Sequence, residues 1–236
     1  MTFFDFLHNI PRYKGRTGAI NRLNWRWRFL VQDFEEHLKG ARALDLAAHD
    51  GRWSYALAEA GAGEVVGVEA RANLIKQFAD YPEGTAKDRV ALVEGDMFEV
   101  LPDWVSRGES FDIVAIYGVF YHVMDHYRLL RLTHALNPRM IVIDSEFMVA
   151  TEPIINVFVE ESDNPMNAIK QLPDQEHLPI GVPSHSALEL MAHTLGYSVT
   201  WTDWEQVPRG QRQGLADYYR KRGRRRGTCT LHRQTA

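Results

Sequence analysis

The stretch ARALDLAAHDGRWSYALAEAGAGEVVGVEA, residues 41–70, decides the fold. It opens on a short apolar run, ARALDLAA, and meets a turn signal at His49-Asp50-Gly51. A helical pattern follows over 52–60, with Trp53, Ala56, Leu57 and Ala60 on one face. A second apolar run, EVVGVEA (64–70), closes the stretch. Both runs are apolar throughout, as strands read when helices cover both faces of a parallel sheet. The order is strand, tight turn, helix, strand.

Moving outward, the same alternation continues. Leu74, Ile75 and Phe78 mark a helix, VALVEGD (90–96) a third strand and FDIVAIYG (111–118) a fourth. A helical 124–136 leads to a fifth strand, MIVIDSEF (140–147). Such alternation predicts a doubly wound α/β fold with a mostly parallel sheet. No internal repeat at a fixed period is present. Upstream, 21–38 reads as a helix with Gly40 at its C-terminal end. Downstream, 149–182 holds Pro153, Pro165, Pro173 and Pro179 without a clean period, as an insertion suited to a lid or substrate loop. VPSHSALELMAHTLGY then gives a helix with Ser184 as N-cap and Gly196 at its end. YSVTWTDW and GTCTLHR are two late strands, and the segment between them includes a helical LADYYRKR.

Composition narrows the class. The chain has 236 residues, 45% hydrophobic and 25% charged, which excludes wholesale disorder. One cysteine, Cys229, excludes an internal disulfide framework and a multi-cysteine zinc site. The longest uncharged apolar run, IVAIYGVFY at 113–121, is half of what a membrane-spanning helix needs. The start, MTFFDFLHNIPRYKG, lacks the basic and apolar blocks of a signal peptide, so a soluble cytoplasmic protein is expected. Net charge is −4 but uneven: residues 209–236 carry nine Arg or Lys against Asp217 alone. That excess of positive charge points to an acidic partner.

In a doubly wound sheet, ligands bind beyond the carboxyl ends of the strands. The residues there are Ala47, His49 and Gly51 after the first strand, Glu69 after the second and Asp96 after the third. Tyr117 to His122 follow the fourth, and Asp144, Ser145 and Glu146 the fifth. Small residues before a helix N-terminus let a backbone approach a ligand and favour negative groups. A carboxylate at Glu69 is placed to accept both hydroxyls of a ribose. Read singly, each has a structural alternative: Asp96 as an N-cap, Glu69 as a solvated strand end, His49 as a turn cap.

The order of glycine turn, ribose acid and third-strand acid resembles the class I S-adenosylmethionine-dependent methyltransferases. The resemblance runs from 41 to about 147. Their first motif, roughly D-x-G-x-G-x-G, is met by DLAAHDG (45–51), which keeps Asp45 and Gly51 but has Ala47 and His49 in place of glycines. The resemblance implies S-adenosyl-L-methionine as cofactor, with Asp45 near its amino-acid portion, Glu69 on the ribose, Asp96 on the adenine and Met97 against the ring. Tyr117 lies in the fourth-strand motif. It also implies a Rossmann-like, seven-stranded sheet with a final antiparallel hairpin. One domain is then expected: a helical cap (1–40), a cofactor-binding core (41–148), an insertion (149–182) and a C-terminal helix and strand pair (183–236). GVFYHVMDHYRLLRL (118–132) and PSHSALELMAHTLGY (183–197) further resemble bacterial enzymes related to the tRNA wobble-uridine carboxymethyl-transferring ones.

Methyl transfer from a sulfonium needs alignment and, for some acceptors, a base. His122 is the base candidate, because it follows the fourth strand and histidine titrates near neutrality. The competing reading is a structural histidine. No metal is expected. The expected acceptor is an O or N atom of a small molecule. The alternatives are a tRNA gripped by RKRGRRR (220–226) and a non-catalytic cofactor-binding subunit. Trp25 and Trp27, among Arg22, Arg26 and Arg28, are expected to pack on the lid.

Overall fold

The computed structural model describes residues 2–164 and 166–234; Pro165 of the insertion lies outside them. The cap comes first, as α1 (Thr17–Leu30) and the short α2 (Glu35–Leu38). The core follows as β1 (Arg42–Leu46), α3 (Arg52–Glu59), β2 (Glu64–Glu69), α4 (Ala72–Ile75), α5 (Thr85–Asp88) and β3 (Val90–Glu94). It continues through α6 (Met97–Ser106), β4 (Ile113–Tyr117), α7 (His126–Ala135) and β5 (Met140–Met148). The remainder is β6 (Ile155–Glu161), β7 (His177–Pro183), α8 (His185–Thr194), β8 (Tyr197–Trp201) and β9 (Arg224–Arg233).

Seven strands form one sheet in the order β3-β2-β1-β4-β5-β9-β8. β1 to β5 pair in parallel, and β9 runs antiparallel to both of its neighbours. Strand residues alternate between two faces. Ala43, Val65, Ile113, Ala115 and Val142 pack with the N-terminal segment, α1 and α3. Leu44, Val66, Val114, Ile116 and Ile143 pack with α6, α7 and α8. Both faces are therefore covered, and the strand order reverses between β1 and β4, where a crevice opens.

Several elements differ from the sequence reading. The cap helix starts at Thr17 and breaks at Val31 (φ −133°, ψ −58°), which lets Val31 and Leu38 both reach the core. The insertion is no irregular loop, because β6 and β7 pair as an antiparallel hairpin from Ile155↔Pro183 to Glu161↔His177. Pro179 and Pro183 disguise it, since proline reads as a strand breaker although an edge tolerates it. The strand pattern in β6 is present all the same, as Ile155, Val157 and Val159 alternate with Asn156, Phe158 and Glu160. LADYYRKR keeps only a 3₁₀ turn, Ala216–Tyr219, and Arg224–Arg226 already belong to β9. The tryptophans do not meet the lid: Trp27 is buried in the cap and stacks on Phe3, with ring centroids 5.2 Å apart. Asp144 and Glu146 lie within β5 rather than after it. No helix of the described residues is long and apolar enough to cross a membrane.

Candidate functional site

The turn after β1 holds the backbone of a glycine loop without its glycines. Ala47 (φ 57°), His49 (φ 56°) and Gly51 (φ 78°) are all left-handed. For a non-glycine residue this conformation costs roughly 1–2 kcal/mol, so the surroundings must hold it. They do so on both sides. Ala48 N donates to Val68 O at 2.9 Å, and His49 N donates to Glu69 Oε2 at 2.9 Å. Gly51 must be glycine for a second reason: a Cβ there would sit 2.5 Å from the Phe78 ring. Asp50 is fully buried below the loop, where it accepts from Tyr13 OH (2.7 Å), Arg52 Nε (2.6 Å) and Arg12 Nη2 (3.2 Å). Burial pushes its carboxyl upward, but the Arg52 guanidinium and His49 beside it hold it well below the usual carboxylate range. The N-terminal segment is thereby tied to the loop.

A cavity of about 880 Å³ opens over the carboxyl ends of β1, β2, β3 and β4. Of the residues singled out in the sequence, Ala47, His49, Glu69, Asp96, Met97, Tyr117 and His122 line it. Asp45, within β1, and Gly51, at the end of the loop, do not line it. Asp45 is buried and accepts from Ser54 Oγ at 2.7 Å. Burial pushes it up to about 7, against the Ser54 hydrogen bond. Glu69 accepts from the amides of His49 and Arg71 (2.9 and 3.0 Å), one per oxygen, which fixes its carboxylate plane and leaves each oxygen a further lone pair. Asp96 N-caps α6, accepting from Phe98 N at 2.8 Å, and still faces the cavity. Tyr117 lines the cavity with its ring, while its hydroxyl donates to Leu30 O on the cap at 2.5 Å.

At the far end, His122 Nδ1 lies 2.7 Å from Oε2 of Glu160, a residue of β6. Both side chains are nearly enclosed, at 11% and 13% exposure. Burial raises the Glu160 carboxyl, but the hydrogen bond and charge of His122 pull it below its ordinary value. The loop joining β6 to β7 covers this end with Met166 to Gln171. Hydrogen bonds that hold the loop include Arg71 Nη2 to Asn167 O (2.6 Å), Ala168 N to Glu160 Oε2 (3.1 Å) and Asn167 Nδ2 to Glu161 O (2.9 Å). His126 is buried, with Nε2 3.0 Å from Gly181 O. Among the described residues no cluster of three metal-ligating side chains occurs.

One wall of the cavity was not visible in the sequence. Arg26 from α1 and Arg226 from β9 both donate to Oδ1 of buried Asp144, each at 2.8 Å. Tyr218 OH (2.6 Å) and Thr228 Oγ1 (2.8 Å) bind its other oxygen. Burial opposes the charge, but the two guanidiniums bring Asp144 down to about 2. Asp217 joins through Arg22 (2.6 Å) and Arg226 (3.1 Å). Arg26 and Arg226 line the cavity, and Arg26 Nε is buried with no partner. Three arginines of RKRGRRR meet acids of the fold. Arg226 is buried, and Arg220 and Arg224 pair with Glu146 at 3.4 and 3.2 Å.

A parallel sheet with one reversed strand next to its edge, and a cavity over a left-handed loop and a strand-end carboxylate, define the fold of class I S-adenosylmethionine-dependent methyltransferases. Residues 43–138 match the model of the methyltransferase domain family. Among solved structures, the S-adenosylhomocysteine-bound N-terminal domain of EvdMO1 is similar at 16% identity (TM-score 0.63; 86% of this chain, 79% of that one). The DhpI–S-adenosylhomocysteine complex is similar at 15% identity (TM-score 0.61; 95% and 91%). Magnesium protoporphyrin IX methyltransferase of Synechocystis PCC 6803 is similar at 14% (TM-score 0.54; 93% and 85%). A Methanocaldococcus jannaschii protein, whose name assigns it to the ribosomal RNA large subunit methyltransferases, is 34% identical over 87 residues. The match takes in 36% of this chain and only 22% of that relative's length.

Proposed function

We propose that the protein is an S-adenosylmethionine-dependent methyltransferase acting on an O or N atom of a small-molecule acceptor. The observation that carries this reading is the cavity itself. It has a fixed carboxylate, Glu69, at one end and a histidine, His122, at the other, and a hairpin loop covers it. The residues fit the cofactor. Glu69 would accept the ribose hydroxyls, Asp96 and Met97 would take the adenine, and the α3 N-terminus at Ala47–Gly51 would meet the amino-acid portion. Arg26, with its unpartnered Nε, and Arg52 offer positive charge for a carboxylate there. When bound, S-adenosylmethionine supplies an electrophilic methyl group on a sulfonium. His122 holds Nδ1 toward Glu160 and presents Nε2 to take the proton that the acceptor oxygen or nitrogen releases. Tyr121, whose ring lies 4.0 Å from that of His122, and Leu178 shape the acceptor side.

The closed loop and the internal pairing of Arg220, Arg224 and Arg226 favour a small acceptor over tRNA. The single cysteine supports a cytoplasmic setting. The test is methyl transfer from labelled S-adenosylmethionine, offered separately to a low-molecular-weight metabolite extract and to bulk tRNA. Label in the small-molecule fraction alone is expected. Label in tRNA, falling steeply with salt, would replace this reading with the RNA one. Cofactor binding with label in neither fraction would leave a binding subunit.

A further inference from the structure

We propose that Glu160, carried in by the inserted hairpin, is a positioning residue that fixes the tautomer of His122 and ties it to closure of the lid loop. The inference rests on the reading of His122 as the base. Its first support is geometric: His122 Nδ1 and Glu160 Oε2 are 2.7 Å apart between two side chains largely shielded from water. A carboxylate can only accept, so the ring must place its hydrogen on Nδ1. Nε2 is then the lone-pair nitrogen.

The second support is that the same carboxylate oxygen holds the lid. Ala168 N donates to Glu160 Oε2 at 3.1 Å, so one oxygen serves both the histidine and the loop that covers it. The neighbouring residue, Asn167, accepts from Arg71 Nη2 at 2.6 Å, and the Arg71 amide donates to Glu69 Oε1 at 3.0 Å. A continuous set of hydrogen bonds therefore runs from the carboxylate at the cofactor end, through the lid, to the histidine at the acceptor end. The hairpin does more than cover the cavity. An open lid removes one of the two donors that fix the Glu160 carboxylate, and the histidine is then less firmly oriented.

The tautomer and exchange measurements use the full chain with S-adenosylhomocysteine and need no acceptor. In ¹⁵N-resolved imidazole spectra, wild-type His122 is expected as the Nδ1–H form. Glu160→Ala should shift it toward the Nε2–H form, and Glu160→Gln, which keeps an acceptor oxygen, should restore most of the wild-type pattern. Hydrogen exchange at residues 166–171 should be about tenfold faster in Glu160→Ala, the loss expected for one charge-assisted hydrogen bond. S-adenosylhomocysteine affinity should change little. An unchanged tautomer in a folded Glu160→Ala protein overturns the proposal, as does a changed tautomer with unchanged exchange in the loop. His122→Ala separates the two claims. If it leaves methyl transfer intact, His122 is not the base, while the Glu160 tautomer result stands or falls independently.

Discussion

The two ends of the cavity are built on different principles. The end over β1, β2 and β3 is local: Ala47, His49, Glu69, Asp96 and Met97 fall within about 50 positions, and backbone amides fix its key carboxylate. The end beyond β4 is assembled from distant parts: Arg26 of the cap, His122, Glu160 of the hairpin and Arg226 of the last strand. A left-handed loop beneath a strand-end acid can be set by a short sequence. The Asp144 network cannot, because its arginines come from the cap and the last strand to offset its desolvation. The local end suits a constant cofactor, and the assembled end suits an acceptor that differs from one enzyme to the next.

The comparison is open to attack first at Asp144. Asp144→Ala would leave Arg26 without its counter-ion and Arg226 with Asp217 alone. Removing one partner of such a network costs about 3–5 kcal/mol, which a urea denaturation curve would show as a lower midpoint. Its carboxyl is lower in the folded state (about 2) than in the unfolded chain, so its contribution is present above the ordinary Asp range and lost as pH falls through about 2. The variant should therefore lose the share of acid-dependent stability that Asp144 supplies. A midpoint unchanged at pH 7 would mean that the assembled end does not depend on its ions.

His122→Ala tests the same end through rate. Turnover should fall by about 10² to 10⁴ with cofactor affinity nearly intact. Equal losses of affinity and rate would make the histidine structural.

At the local end, Glu69→Ala should weaken S-adenosylhomocysteine binding by roughly 1–3 kcal/mol, and Asp96→Ala by less, because water can replace its contact to an adenine amine. Asp45→Asn has the opposite sign from Asp144. The Asp45 carboxyl is raised to about 7 in the fold, so it supports stability at low pH and withdraws it as pH rises from the ordinary Asp range through about 7. The variant should gain on the wild type at pH 8 and not at pH 4, in thermal melts at the two values.

The smallest effect belongs to the loop. Ala47→Gly relieves a left-handed alanine but adds freedom to the unfolded chain, so a gain of about 0.5–1 kcal/mol is expected. A loss would show that the Ala47 methyl makes contacts worth more than the strain.

The contrast also explains what was legible in the sequence. The core strands and the residues after them followed from apolar runs and turn signals, because a parallel sheet buried on both faces writes itself as such. The Ala47 and His49 substitutions hid the loop's conformation but not its place. Glu160 was out of reach: it sits in a strand that prolines in its partner disguise, 38 residues from the histidine it binds. Arg26 and Arg226 carried no signal either. Spacing cannot reveal a pairing across the whole chain, and a basic run reads as solvated until its acids are located.

The most direct test of the account is a calorimetric titration of the wild-type chain with S-adenosylhomocysteine, repeated in the presence of S-adenosylmethionine. The account predicts saturable binding at one site per chain, competitive between the two ligands. Absence of heat from either ligand, in protein shown to be folded by its melting transition, would contradict it.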